Sequence, residues 1–399
     1  MFHRISITTA GWVYLILLSF IIGGALMREI NLLMFVAGLM AGPLLLSAWL
    51  TSRMTSRIEV KRTVPHGIGV GETFTVQLVT TNHKKRLYSW ALVLGDRISR
   101  VRPAGERPTP VSAFVPQLAP GATDRTVYEG KLFERGQYRL GPIVVASRFP
   151  LGLLRHMVRL HEMTTIYAYP RLGRLTREWT EFIQPVRAGS QQSVNRIGSM
   201  EGEFHSLRDW RSGDSRRWIH WRTSARRNEL IVKQFERRQN RDLVILLDLL
   251  TSPDVTDQSE MVIEAAVRFA ATIVAHHCRR GSSRMLLGIA GRELEVVCGM
   301  SSTGLMEEAM EKLAVAEGHS EPRLEELISQ CSRFLKSEAG LVVLGSSPIG
   351  ADEVTAAWHN AHPHGPLPRP LCIDCGSREL DMFFEDLDSV SDVRGKEIL

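Results

Sequence analysis

The sequence predicts a two-span membrane anchor, then an all-β domain, then an α/β domain. Three observations carry this: two uncharged apolar runs near the start, a stretch of short alternating runs broken by Gly and Pro, and a C-terminal part in which apolar strands alternate with amphipathic helices. The chain has 399 residues, room for an anchor and two ordinary domains. Its 44% hydrophobic and 23% charged residues are the composition of folded protein, which excludes a disordered chain.

Residues 1–57 form the predicted anchor. Ala10 to Met27 reads AGWVYLILLSFIIGGALM, and Leu32 to Leu50 reads LLMFVAGLMAGPLLLSAWL. Each is close to the ~20 residues a helix needs to cross the hydrocarbon core. Backbone groups in lipid must be satisfied internally, so helix is the conformation expected of both, with Pro43 a candidate kink in the second. A cleaved signal peptide competes for the first run, but no small-residue cleavage site follows it and a second span comes at once. His3 and Arg4 precede the first run, and Arg53, Arg57, Lys61 and Arg62 follow the second. The positive-inside rule then places both termini and the soluble body in the cytoplasm, on a multi-pass protein of the cytoplasmic (inner) membrane. All five cysteines lie in the C-terminal third, an odd set without framework spacing, which predicts reduced thiols and the same compartment. The four basic residues after the second span are expected to lie against anionic headgroups, at roughly 1 kcal/mol each.

From 58 to 170 the pattern suits a small β-sandwich. Glu72 to Thr80 alternates with period two, and Trp90 to Leu94, Thr126 to Tyr128 and Ile143 to Ala146 read as further strands. Such a domain is most often a spacer or a docking surface, and neither paired carboxylates nor a nucleophile set stand out in it.

Residues 171–241 form a linker dominated by the stretch Gly202–Arg241. That stretch holds eleven Arg or Lys against five Asp or Glu, a net of +6 that equals the formal charge of the whole chain, and three of the eight tryptophans. Arg and Trp at this density admit nucleic-acid binding through phosphate contacts and stacking, docking of an acidic protein partner, or a structural role pinning a loop by ion pairs and cation–π contacts. The stretch lacks the patterns of the familiar nucleic-acid modules, so most weight falls on the last two, which are compatible. Gly213-Asp214 signals a turn, Asp214 is a candidate N-cap for a helix running to Arg227, and Leu230 to Phe235 looks like a strand.

Glu203-Phe204, Leu207-Arg208, Trp210, Gly213-Asp214, Arg217, Ile219, Trp221, Ala225-Arg226, Leu230, Val232-Lys233 and Phe235-Glu236 occur in an order that resembles the signature of the bacterial "domain of unknown function fifty-eight" family. The two spans, Arg62-Thr-Val-Pro, Gly71-Glu72, Arg135 to Pro142 and Pro150 to Arg155 follow the same family order, so the resemblance covers nearly the whole chain. It implies a membrane-anchored protein with a β-rich region and a von Willebrand factor A-like domain. It also implies a MoxR-type AAA+ ATPase as partner, in a chaperone-like or envelope-related system, and no known reaction. The motif residues proposed to matter most are Glu203, Phe204, Arg208, Trp210, Gly213, Asp214, Arg217, Trp221, Arg226, Lys233 and Glu236.

Residues 242–399 read independently as a doubly wound α/β domain. Asp242 to Asp248 is a continuous apolar run suited to a central parallel strand, and Val262, Ala266, Phe269 and Ile273 mark one face of the helix after it. A hairpin at Met285–Ala290 and Glu293–Cys298, helices near 303–316 and 322–336, a strand at Gly340–Leu344, a helix at Ala351–Ala361 and a strand near Leu371 complete the pattern. A metal-binding von Willebrand A domain has Asp-x-Ser-x-Ser after its first strand, oxygen ligands suited to magnesium. Here Asp248 and Ser252 remain while Leu250 takes the place of the first Ser, so these two are a degenerate remnant and no metal is expected. His362, His364, Cys372 and Cys375 could in principle hold zinc, but their spacing matches no familiar finger and ordinary core or loop roles are the plainer expectation. No cofactor is implied. The leading expectation is a membrane-anchored scaffold or recruitment protein without catalysis of its own. The alternatives are a membrane-tethered nucleic-acid binder acting through the Arg/Trp block, and an uncharacterised hydrolase.

Overall fold

The computed structural model describes residues 2–28, 30–102, 108–183, 203–211, 214–236, 242–251, 257–281, 283–332, 334, 340–361 and 370–386. They divide into two compact units, Met1–Arg171 and Leu172–Leu399.

The first unit opens with a strand, β1 (Phe2–Ile7), followed by two long helices, α1 (Thr9–Arg28) and α2 (Asn31–Thr55). Both helices are long and apolar enough to cross a membrane, and most of their apolar side chains are exposed. Thr8 caps α1, its Oγ accepting from Gly11 N at 3.1 Å. Tyr14 OH donates across the helix pair to Met40 O at 2.8 Å, and α2 runs through Pro43.

Ten further strands follow: β2 (Ile58–Thr63), β3 (Gly67–Gly69), β4 (Thr73–Asn82), β5 (Ser89–Arg102), β6 (Thr109–Leu118), β7 (Thr123–Lys131), β8 (Gly136–Leu140), β9 (Ile143–Ser147), β10 (Leu154–Leu160) and β11 (Thr164–Tyr169). They make an eight-stranded sheet, β1-β10-β9-β5-β8-β11-β3 with β6 also on β5, and a three-stranded sheet, β2-β4-β7. Alternate residues of both, among them Val60, Val76, Leu78, Leu92, Leu94, Leu140 and Ile166, meet in one core, so each strand buries one face as its period-two pattern requires.

Two features of this unit lie outside the sequence expectations. The segment before α1 is a strand, paired antiparallel with β10 from Phe2↔Arg159 to Ile7↔Leu154. Arg62 is not at a lipid surface. It is buried in the sandwich, where Nε and Nη2 donate to Asp96 at 3.0 and 2.8 Å and Nη1 donates to Leu140 O and Thr164 Oγ1. Tyr128 OH donates to the same carboxylate at 2.7 Å, and burial, reinforced by Asp96, pushes its phenol pKa up. Lys61 meanwhile pairs with Glu59. Of the four basic residues that follow the second apolar run in sequence, Arg53, in the last turn of α2, and Arg57, just past it, are therefore the ones left exposed without an acidic partner among the described residues.

The second unit begins with β12 (Arg174–Leu175) and α3 (Arg177–Ile183). This part of the expected linker is packed: β12 pairs with β20 (Phe384–Glu385), and Trp179 is buried edge-on against Phe269 at 5.3 Å. Next come β13 (Glu203–Asp209), α4 (Trp221–Arg227) and β14 (Ile231–Glu236), then β15 (Leu243–Asp248), α5 (Asp257–Arg280), β16 (Arg284–Ala290), β17 (Leu294–Met300), α6 (Thr303–Val315), α7 (Leu324–Ser332), β18 (Gly340–Gly345), α8 (Ala351–Ala361), β19 (Pro370–Asp374) and α9 (Glu379–Phe383).

The main sheet has the order β17-β16-β15-β18-β19. All neighbours are parallel except the edge strand β17, which forms a hairpin with β16. β15 is wholly buried, as a central strand covered on both faces should be. α7 and α8 cover one face, with Leu327, Ile328, Val354 and Trp358 packed on Val244, Leu246 and Val343. α5 also has the length and hydropathy of a span, but Ala266, Val267, Phe269, Ala270 and Ile273 are buried within this unit.

Candidate functional site

The Arg/Trp block is built on a two-stranded antiparallel ribbon. β13 and β14 pair from Glu203↔Glu236 and Phe204↔Phe235 to Arg208↔Val232 and Asp209↔Ile231, with an irregularity between Phe204 and Ser206. The motif residues Glu203, Phe204 and Glu236 thus lie at one end of the ribbon. Arg208 and Lys233 lie towards the other, where Trp210 N donates to Leu230 O at 2.8 Å.

Asp214 has a different job from the helix cap expected of it. Its two carboxylate oxygens each accept from Arg208, at 2.7 Å, and Oδ2 also accepts from Arg211 N at 2.8 Å. This bidentate fork holds the loop after β13 against the strand it has just left. The Arg208 hydrogen bonds, with help from the Arg211 amide, hold the Asp214 carboxyl below its usual range, and Asp214 in turn raises the Arg208 guanidinium.

The expected single helix from Asp214 to Arg227 is broken in two. Arg216–Trp218 is one 3₁₀ turn, capped by Ser215, and α4 starts only at Trp221. The break is at Ile219, buried in an isolated bridge with Val232, and His220 N donates to Ile231 O at 2.8 Å. A residue held in strand pairing cannot also continue a helix. His220 then caps α4, its Nδ1 accepting from Thr223 N, and buried Ser224 Oγ accepts from Ile231 N at 2.9 Å. Asn228 ends the helix in the left-handed region, at φ 58°, a conformation Asn tolerates better than most residues.

This framework turns the block outward. Trp221 is 64% exposed and Trp210 38% exposed. Arg211, Arg216, Arg217, Arg222, Arg226, Arg227 and Lys233 are all exposed and form no ion pair among the described residues. Of the motif residues, Arg208 and Asp214 hold the fold, whereas Arg217, Trp221, Arg226 and Lys233 face solvent. Gly213 lies outside the described residues, as does Ser252 of the remnant site.

At the end of β15, Asp248 is buried, and His319 Nε2 lies 3.1 Å from its Oδ1. His319 Nδ1–H donates to Glu321 O at 2.5 Å, which fixes the ring with Nε2 towards Asp248. The surrounding backbone is bound as well, with Thr251 N donating to His319 O and Ser346 Oγ donating to Leu250 O at 2.7 Å. This donor set does not fit a hard cation: the carboxylate already faces an imidazole, and Leu250 offers no side-chain oxygen. Sequence reasoning missed His319, which lies 71 residues from Asp248 and outside any motif.

His362 and His364 lie outside the described residues. Cys372 is half-buried in β19 and Cys375 is buried; burial pushes the Cys375 thiol up to about 12, the reverse of an activated redox cysteine. Cys331 is likewise pushed up to about 12 by burial. A nucleophile–base contact does exist between Ser283 Oγ and His277 Nε2, at 2.9 Å, but Ser283 is buried.

The family described as "Protein of unknown function DUF58" matches residues 206–359, from within β13 to α8. The uncharacterised protein YeaD of Bacillus subtilis is 25% identical over 169 residues, 42% of this chain and 40% of that protein's own length. Among solved structures, a β-glucosidase from Listeria innocua shares 16% identity at a TM-score of 0.21, covering 29% of this chain and 16% of that one. A CARDB domain from Pyrococcus furiosus shares 15% identity at a TM-score of 0.18, covering 28% of this chain and 89% of that one. At such scores neither likeness bears on fold or function.

Proposed function

We propose that this protein is a membrane-anchored recruitment or scaffold protein that presents the Arg/Trp surface to an acidic protein partner and catalyses no reaction itself. The observation that carries this is the outward face of the block: exposed Trp221 among guanidinium groups that have no ion-pair partner among the described residues, on a ribbon stiffened by the Arg208–Asp214 fork. Trp and Arg are the residues that most often anchor protein interfaces. The buried thiols of Cys278, Cys331 and Cys375 and a buried Ser283 agree better with a binding role than with nucleophilic catalysis.

In this reading α1 and α2 cross the cytoplasmic membrane as a hairpin, with both ends and the soluble body on the cytoplasmic side. The β-sandwich acts as spacer. The α/β unit serves as a von Willebrand A-like adaptor, a role supported by its central parallel strands, its antiparallel edge strand and its Asp248 at the strand end. The resemblance to the domain-of-unknown-function family points to a MoxR-type AAA+ ATPase as the partner.

The test is affinity capture of the full-length protein from detergent, with mass spectrometry of what accompanies it. Recovery of such an ATPase, lost on Trp221→Ala or Arg226→Ala while the protein stays folded, is the expected result. Recovery of nucleic acid that dissociates with added salt would instead assign the surface to phosphate binding, and capture unchanged by both variants would sink the role given to this block.

A further inference from the structure

We infer that the β-sandwich does not hang free of its anchor but rests on the bilayer through a built aromatic and cationic rim that binds anionic phospholipid headgroups. The inference rests on α1 and α2 spanning the membrane. At 1.5 Å per residue, the 30 Å hydrocarbon core takes about 20 residues of helix, so α2 from Asn31 leaves it near Leu50, and α1 enters near Thr9.

Two parts of the sandwich are fastened at this level. The loop before β10 is tied to both helices: Thr51 Oγ1 donates to Phe149 O at 2.6 Å, and Thr8 Oγ1 donates to Gly152 O at 2.7 Å. Gly11 approaches this loop so closely that an added Cβ would lie 2.1 Å from Leu153 O, so the contact is close-packed and not a loose tether. The loop between β4 and β5 is tied to the end of α2, with His83 N donating to Arg57 O at 3.0 Å and Lys84 Nζ to Met54 O at 2.8 Å.

These fastenings leave Leu151 53% exposed, Tyr88 43% and Trp90 38%, the Trp90 ring stacked on Phe149 at 6.0 Å. Trp49, with Arg53 over its ring at 5.6 Å, lies on α2 two residues before Thr51, which holds Phe149 O. Tyr and Trp are the residues that settle at the membrane–water boundary. Lys85, Arg86 and Arg148 are exposed beside them. Glu59, at the start of β2, pairs with His83 and Lys61. Cations distant in sequence from the spans thus stand where Arg62 was expected to be.

The experiment uses the full-length protein in lipid nanodiscs of phosphatidylcholine, with or without phosphatidylserine, doped with a phospholipid carrying a diazirine near its headgroup. After illumination, adducts are mapped by mass spectrometry. Adducts are expected at Tyr88, Trp90 and Leu151 as well as at the helix ends, and not at Phe133, which is more open to solvent than any of them and lies just beyond the opposite end of β7. The double variant Lys85→Glu/Arg86→Glu should cut the Tyr88 adducts about fivefold in phosphatidylserine discs only. Should it fold poorly, Leu151→Asp, on the other loop, should remove the adducts at 148–151. Adducts in the helices but only at Phe133 levels on both loops would overturn the rim, and equal loop labelling with and without phosphatidylserine would overturn its binding of anionic headgroups. No adducts in the helices would instead sink the spanning reading itself.

Discussion

Arg62 in the sandwich and Arg226 in the block are the same residue in opposite circumstances. Arg62 is fully buried, with a partner for each of its donating nitrogens. Arg226 is exposed on a seven-residue helix and has no acidic partner among the described residues. A buried guanidinium is tolerated only when paired, so Arg62 belongs to the fold, whereas an exposed unpaired one costs the fold nothing and is free to meet a partner. Charge content along the chain does not separate the two; the acid on the facing sheet does.

That contrast can be broken most forcefully at Asp96. Asp96→Ala leaves Arg62 buried without its counter-charge and Tyr128 without its acceptor, and should cost about 3–5 kcal/mol in thermal unfolding of the detergent-solubilised protein. A loss below about 1 kcal/mol would mean that water reaches Arg62. Asp214→Ala, which frees the partly exposed Arg208, should cost only about 1 kcal/mol. It should also weaken partner capture, because the loop carrying Arg211 is released.

Lys84 sharpens the comparison from the side of pH. It is buried, and burial lowers its ammonium to about 8. The folded protein therefore gives up this proton at lower pH than the unfolded chain, where the value is 10.5. The group's penalty is full below pH 8 and is relieved as pH rises from there towards 10.5. Unfolding free energy should climb by about 1 kcal/mol between about pH 7 and about pH 9, a rise missing in Lys84→Met. An identical rise in the variant would assign it to another group. Smallest of all should be the stability effects of Trp221→Ala and Arg226→Ala, within about 0.5 kcal/mol of wild type. A larger drop in either would make the exposed face structural after all.

What could be read from the sequence was what local pattern encodes. The continuous apolar run ending at Asp248, the helix Ala351–Ala361 and the alternation through Thr80 all appear where periodicity placed them. What could not be read depends on partners far along the chain. Ile219 interrupts a helical spacing because Val232 pairs with it. Arg62 leaves the lipid surface because Asp96, 34 residues on, accepts its hydrogen bonds. Phe2–Ile7 is a strand because β10 offers an edge. The outward face of the block was visible as composition, but which of its members latch the loop and which face solvent was not.

The pairing of β1 with β10 gives the proposed hairpin a check on its own insertion. β1 leaves the ribosome ahead of both helices, yet its partner is made some 150 residues later, Ser6 meeting Arg155. The sheet can close only if the segment before the first helix and the segment after the second stand on one side of the bilayer. A chain threaded with those ends on opposite sides would leave β10 with a bare edge, the kind of surface that recruits aggregation and quality-control proteases. Correct topology and a finished sheet are thus one event, and a misthreaded copy carries its own mark for disposal.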